Sequence, residues 1–262
     1  MNKITLQVTL YVLLFLLVPF YSRSQPASKW EVGPRISFSY NFRSYTRLFK
    51  SPVLENIVIE DNNESDIPKG SLNVGADIFY NFSRNFSVGS GIFISDKGFK
   101  TKIVPTCRPG PPPNCRGIFV STLPDAIRYK EMFRFYYTSI PVYLRVQKYF
   151  GKTGFSLTMG ASADFLSFYV VSITEYGKSG NTYVNNYTPI NFDYGYDRVI
   201  VSSYSDISVN FPIKENLRLY VGPAFRFSSP FSTKSVIFYT NFYAASLEAR
   251  LAKEGCLCKK NE

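Results

Sequence analysis

WEVGPRISFSYNF, residues 30 to 42, decides the fold. Trp30, Val32, Ile36, Phe38, Tyr40 and Phe42 fall on one side of a period-two zigzag. Glu31, Gly33, Arg35, Ser37, Ser39 and Asn41 fall on the other. Successive side chains of a strand point to opposite faces, so the stretch is a strand with one apolar and one polar face. Alternation alone leaves open whether the apolar face looks into a protein core or out into lipid.

The same pattern returns seven times. Leu72 to Phe82 and Phe86 to Ser95 are separated only by Ser83, Arg84 and Asn85, which predicts a hairpin. Arg134 to Gln147 and Phe155 to Phe165 form a second pair across Gly151 and Lys152, and Val199 to Phe211 and Leu217 to Phe227 a third across Pro212 to Asn216. An eighth strand ends near Leu251. The connections at 43–70, 97–130 and 169–197 are long and polar and alternate with these short turns, so one end of the sheet carries every extended loop. An even strand count with neighbours joined in sequence predicts an all-β, eight-stranded antiparallel up-and-down barrel.

The polar face decides which way that barrel is turned. A soluble ligand-binding barrel has its apolar face inward and a wet face rich in Lys and Glu. Here the polar face carries Ser, Gly, Asn and Thr with isolated charges: Arg35, Asp77, Arg145, Asp164, Asp206, Arg218, Arg226, Glu248 and Arg250. Small residues with charges of both signs suit a narrow interior, where opposite charges neutralise each other. The apolar face is nearly free of charge, as lipid requires, and Tyr40, Phe42, Tyr80, Phe82, Tyr149, Phe150 and Phe227 crowd the strand ends where interfacial girdles sit. The expectation is a transmembrane barrel of the outer membrane, multi-pass, with both termini periplasmic and Arg35 facing a counter-charge such as Asp77.

Composition agrees. The 262 residues include 20 Tyr and 24 Phe, which favours strands, and no His. Without His, Ser-His-Asp and Cys-His nucleophile systems and His-rich zinc sites cannot be built. Residues 1–24 open with Lys3, continue through YVLLFLLVPF and end in Ser22, Arg23 and Ser24, a secretory signal cleaved before Gln25. Removing it takes away Lys3 and Arg23 and no acid, so the net charge drops by two from +11 to +9. The expected organisation is signal peptide 1–24, barrel 25–251 and basic tail 252–262.

Two runs carry a family resemblance. Tyr137 to Arg145, YTSIPVYLR, is similar to the Tyr-x-Glu-Ile-Pro-Leu-x-x-Lys strand entry of the PorT-like outer-membrane β-barrel family of Bacteroidetes. Phe86 to Gly98, FSVGSGIFISDKG, resembles that family's Gly-hydrophobic-x-Ser-x-Lys-Gly strand, and the Gly160 strand after a short turn is a third point of likeness. Ser139 stands where the family usually carries a Glu. The resemblance implies a membrane-embedded barrel in a functionally diverse family, some of whose members serve secretion of other proteins.

Little else points to chemistry. Cys107 and Cys115 enclose RPGPPPN in a long loop of an exported chain, which predicts a disulfide. Cys256 and Cys258 lie in the tail, with too few neighbouring ligands for a metal site. No cofactor motif stands out. Eight strands leave an interior just wide enough for side chains to fill, so the lumenal charges are expected to pair rather than to conduct. The expected function is non-enzymatic: binding, or assembly and secretion of other proteins, by a membrane-embedded body with long extracellular loops. A small-solute channel and a secreted soluble barrel are the alternatives. Expected partners are outer-membrane lipid and lipopolysaccharide, and a protein met through the loops. Nucleic acid is not among them, because Arg and aromatic residues fall on opposite strand faces.

Overall fold

In the computed structural model, residues 30–47, 66–105, 126–187, 198–214, 216–230 and 238–255 are described. Eleven strands follow in chain order: β1 (Trp30–Arg47), β2 (Asp66–Ile67), β3 (Lys69–Asn81), β4 (Phe86–Thr101), β5 (Val104–Pro105), β6 (Ala126–Phe150), β7 (Thr153–Gly177), β8 (Thr182–Tyr187), β9 (Val199–Lys214), β10 (Leu217–Pro230) and β11 (Phe238–Gly255). Eight of them close a ring in the order β1, β3, β4, β6, β7, β9, β10, β11 and back to β1, every neighbour antiparallel. The first and last strands are zipped from Trp30 opposite Gly255 to Arg47 opposite Phe238. Closure leaves these eight strands no free edge, which is what makes a sheet compatible with lipid.

The faces are turned as the alternation and small polar residues imply. Val32, Ile36, Phe38 and Tyr40 on β1 are exposed, Phe38 and Tyr40 by 63% and 65%, while Glu31, Arg35, Ser37, Ser39 and Asn41 are buried. Val74, Ile78, Ile92, Val142, Met159, Ile207 and Leu247 extend the outward apolar surface around the ring. Trp30 and Tyr80 pack edge to face at 4.9 Å at the short-turn end, and Tyr136 and Phe168 stack at 4.4 Å toward the long-loop end. The ten steps from Trp30 to Tyr40, at about 3.3 Å each and tilted by about 40°, span about 25 Å, the height of an outer-membrane apolar band.

Tight approach of neighbouring backbones needs residues without a side chain. A Cβ on Gly33 would lie 1.7 Å from the Leu251 carbonyl oxygen, and one on Gly222 would lie 1.9 Å from that of Ile207. Each of these glycines precedes a proline, Pro34 or Pro223, whose missing N–H removes a rung from the ladder. The regular pairing is interrupted there, between Val32 and Arg35 on β1 and between Val221 and Ala224 on β10.

Several strands run further than the zigzag predicts. β6 and β7 are each 25 residues long, so the segments 126–130 and 169–177, expected in connections, are paired strand. On β7 the reason is a register shift at Tyr136/Tyr137, where Ser167 is skipped in the pairing and the buried positions pass from even (Asp164) to odd (Val171, Ile173, Glu175); on β6 the odd positions stay buried, and it is the outward positions that turn charged at Arg134 and Lys130. An extra residue reverses which positions face inward, so a strict period-two pattern ends at the bulge although the strand does not. β8 pairs with the upper part of β7, and β4 and β11 run on to Thr101 and Gly255. Residues 252–255, expected in the tail, are therefore in the sheet. The signal segment 1–24, Cys107, Cys115, Cys256 and Cys258 lie outside the described residues.

Candidate functional site in the barrel lumen

Nearest the short-turn end, Glu31 is the hub. Its two carboxylate oxygens accept from Arg145 Nη1 and Nη2 at 2.8 Å each and from Arg250 Nη2 at 3.0 Å. Asn81 Nδ2 and the Tyr220 hydroxyl donate as well, at 3.2 and 3.1 Å. Arg145 also donates to Asn81 Oδ1 and Ser87 Oγ. The two guanidinium groups lie over the Phe79 ring at 4.2 and 4.5 Å, so aromatic faces line them where a carboxylate does not.

Arg35 forms the middle layer. Its Nη2 is 2.7 Å from Asp77 and its Nη1 3.4 Å from Glu248. Nη1 also donates to the hydroxyls of Tyr204 and Tyr143, at 3.0 and 3.4 Å. The Tyr204 hydroxyl sits 2.6 Å from both Asp206 Oδ2 and Glu248 Oε2, and with one proton it donates to one of them at a time. Phe93 and the rings of Tyr143 and Tyr204 surround the guanidinium at 5.0 to 5.6 Å.

The third layer belongs to Lys97. Its ammonium donates to Asp164 Oδ2 at 2.5 Å, Ser202 Oγ at 2.9 Å and Ser228 Oγ at 2.8 Å, and Ser202 bonds the same carboxylate. Arg226 Nη1 reaches Ser95 Oγ at 2.9 Å. Above it, Phe99, Phe135, Tyr137, Ile200 and Phe242 form a buried aromatic and aliphatic cap, with Arg43 lying 3.3 Å over the Phe99 ring. Two further pairs sit at that end, Arg43 with Asp66 at 2.6 Å and Lys69 with Asp96 at 2.5 Å.

Charge is balanced across the three layers. Glu31, Asp77, Asp164, Asp206 and Glu248 supply five negative charges, and Arg35, Lys97, Arg145, Arg226 and Arg250 supply five positive ones. A conduit selective for ions of one sign carries a ring of the opposite charge, and no such excess exists here. The space left is small. One cavity of about 20 Å³ lies among Arg35, Arg145, Asp206, Tyr220, Glu248 and Arg250, and one of about 10 Å³ between Asn41, Asn73, Lys97 and Arg226. Each has room for about one water.

Of the nine charged residues picked out from the sequence, Arg35, Asp77, Arg145, Asp164, Asp206, Arg226, Glu248 and Arg250 line this interior. Arg218 stands instead at the short-turn rim, donating to Asn210 Oδ1 at 3.1 Å and stacking 4.8 Å from the Tyr149 ring. Sequence reasoning missed Glu31 and Lys97. Glu31 was legible, on the same zigzag face as Arg35. Lys97 lay just past the expected strand end, and the two-residue step from Ser95 was its signal. Among the described residues no group of three His, Cys, Asp or Glu is placed to hold a metal ion.

The described fold has likenesses among solved barrels. They include Neisserial surface protein A, at 9% identity over 87% of this chain and 98% of that one with a TM-score of 0.45. The outer membrane protein AlkL in lipid bilayers follows at 10% identity, 92% and 98% coverage and 0.38. The attachment invasion locus protein Ail of Yersinia pestis, in complex with a heparin analogue, is at 9%, 85% and 99%, and 0.31. No curated protein matches the chain in sequence. Residues 20–232 match the model of the outer membrane protein β-barrel domain, and the chain, an eight-stranded barrel of the outer membrane, belongs to that family.

Proposed function

We propose that the protein is a non-enzymatic membrane-embedded scaffold, its barrel closed to solutes and its long-loop end serving recognition of another envelope or exported protein. The observation that carries this reading is the lumen: five acids against five cations, packed in three layers and capped by Phe99, Phe135, Tyr137, Ile200 and Phe242. A protein that holds so many charges in fixed pairs has its interior committed to structure, which leaves the rims for function. The 25-residue strands β6 and β7, flanked by β5 and β8, form a sheet projecting beyond the apolar band. Its exposed Tyr183 and Val184 give a protein partner apolar surface to bury.

In this reading the projecting sheet faces the cell exterior and both chain termini face the periplasm. The PorT-like motifs favour a role in assembly or secretion of other proteins. The test has two arms. Purified protein in planar bilayers is expected to show no steady open channel, and a reproducible conductance would overturn the scaffold reading. On intact cells, a thiol-specific impermeant reagent is expected to label Val184→Cys and to leave Lys152→Cys unlabelled; the reverse pattern inverts the orientation. Loss of particular exported proteins on deletion, restored by the full chain but not by one lacking the β7–β8 hairpin tip, would support the secretory role.

A further inference from the structure

On the outer surface, just above the stacked pair Tyr136 and Phe168, the lipid-facing side of the sheet changes character. Tyr136, Arg134, Met132 and Lys130 share one face of β6, two residues apart. Lys100 of β4 lies opposite Met132, and exposed Arg128 continues the row. The Arg134 guanidinium touches the Met132 sulfur at 3.8 Å, and the Lys130 ammonium lies 5.9 Å over the Tyr176 ring of β7, which fixes these side chains on that face.

Lys100 sits midway between Lys130 and Arg134, on diagonals of about 7–8 Å. Among the described residues one carboxylate has the parity of this face, Asp96 of β4 opposite Tyr136, and it is taken up by Lys69 at 2.5 Å. Glu131 and Glu175 have the opposite parity, and none of the four cations forms an ion pair. Arg134 Nε is shielded and has no hydrogen-bond partner. Like charges set side by side on a sheet are destabilising unless something neutralises them.

We propose that Lys100, Lys130 and Arg134, with Arg128, form a binding site on the barrel's outer wall for the phosphate groups of a lipid A-type lipid of the outer leaflet. Two features select a phospholipid-like amphiphile over a soluble polyanion. The cations begin one step above the Tyr136–Phe168 pair, at headgroup height. Directly below them Ile94, Ile140 and Phe165 are exposed and apolar, a wall for acyl chains. The guanidinium of Arg134 matches phosphate geometry with paired donors, and the lysines supply compact charge beside it. The choice of lipid A as the source rests on the orientation proposed above; the chemistry of the patch does not.

The test uses the full-length folded barrel in detergent micelles, where the protein has no sidedness and orientation plays no part. Bis-phosphorylated lipid A, lipid A stripped of its phosphates, and phosphatidylglycerol are titrated against it and adducts are read by native mass spectrometry. Wild type is expected to hold the bis-phosphorylated lipid most tightly. The variant K100Q/K130Q/R134Q is expected to lose about fivefold per cation, roughly 100-fold in all. Substitutions K148Q and K214Q, exposed near the other end, are expected to change nothing. Equal binding by wild type of phosphorylated and dephosphorylated lipid A overturns the site and requires no variant to fold. A triple variant that keeps heat-modifiable migration and binds within twofold of wild type overturns it as well. Preference for phosphatidylglycerol over lipid A would refute the assigned source.

Discussion

Glu31→Gln is the sharpest probe of the lumen. The wild-type carboxylate is 2% exposed and accepts five hydrogen bonds, three of them from Arg145 and Arg250. Glutamine has nearly the same shape, so packing is preserved and only charge and one acceptor are lost. The two guanidinium groups then face each other across Phe79 and Tyr220 with no anion between them. Removing one partner of a desolvated ion pair costs about 3–5 kcal/mol, because the remaining charge stays buried. The penalty here falls at the upper end, since two cations share the one carboxylate.

Equilibrium unfolding of the barrel from lipid vesicles by urea, followed by tryptophan fluorescence of Trp30 and by gel mobility, reads this directly. A loss of that size moves the midpoint by on the order of 1 M or more. Adding Arg250→Met removes one orphaned cation and is expected to recover a large part of the loss, a coupling that a double-mutant cycle isolates. The reasoning is refuted if Glu31→Gln unfolds within about 1 kcal/mol of wild type. That outcome means water reaches the two arginines and solvates them, and a wet lumen removes the basis for a closed barrel.

Three further perturbations address the wall, the seam and the projecting end. Phe38→Arg places a charge on the lipid-facing side of β1, where Phe38 is 63% exposed, and is expected to cost about 2–4 kcal/mol of folding into bilayers; on a water-facing surface the same change would be nearly neutral. Gly33→Val drives a side chain into the Leu251 carbonyl and is expected to block closure of β1 on β11, seen as loss of the heat-modifiable band, whereas Ser37→Ala on the same strand is expected to keep it. At the projecting end beyond the aromatic band, burial pushes the Glu131 carboxyl above its ordinary 4.5, against the pull of Arg43 and with the push of Asp66; burial likewise raises Asp66 above 3.8 despite its contact with Arg43. The folded state then holds those protons more tightly than the unfolded one, so this end loses stability as pH rises from the ordinary values through the raised ones. Amide exchange at Thr101 and Ile67, corrected for its intrinsic pH dependence, is expected to show more protection in mild acid than at neutral pH, and Glu131→Gln to flatten that difference.

The closed wall was legible because a membrane imposes one rule on every strand. Phe38, Ile78, Ile92, Val142, Met159, Ile207, Phe225 and Leu247 all obey it, and the small residues on the opposite parity, Ser37, Ser39, Gly91 and Gly160, tell lipid from water. The rule stops where lipid stops. Above the Tyr136/Tyr137 bulge the outer face of β6 carries Arg128, Lys130 and Arg134, periodicity no longer separates apolar from polar, and the upper half of the β6–β7 hairpin disappeared into an expected loop.

The lumen was legible in part, for a different physical reason. Strand parity says which charges point inward, and adjacent strands bring some of them together, as β1 and β3 do for Arg35 and Asp77. The stronger nodes are made across the barrel, between residues 114 apart in the chain for Arg145 and Glu31 and 67 apart for Lys97 and Asp164. Which inward residues share a height depends on the stagger accumulated around eight strands, a property of closure that no single strand encodes. A one-residue change of register on β6 would move Arg145 from the lumen to the lipid and leave Glu31 facing Arg250 alone. The same balance of five acids and five cations that closes the lumen therefore also ties every strand to a single register.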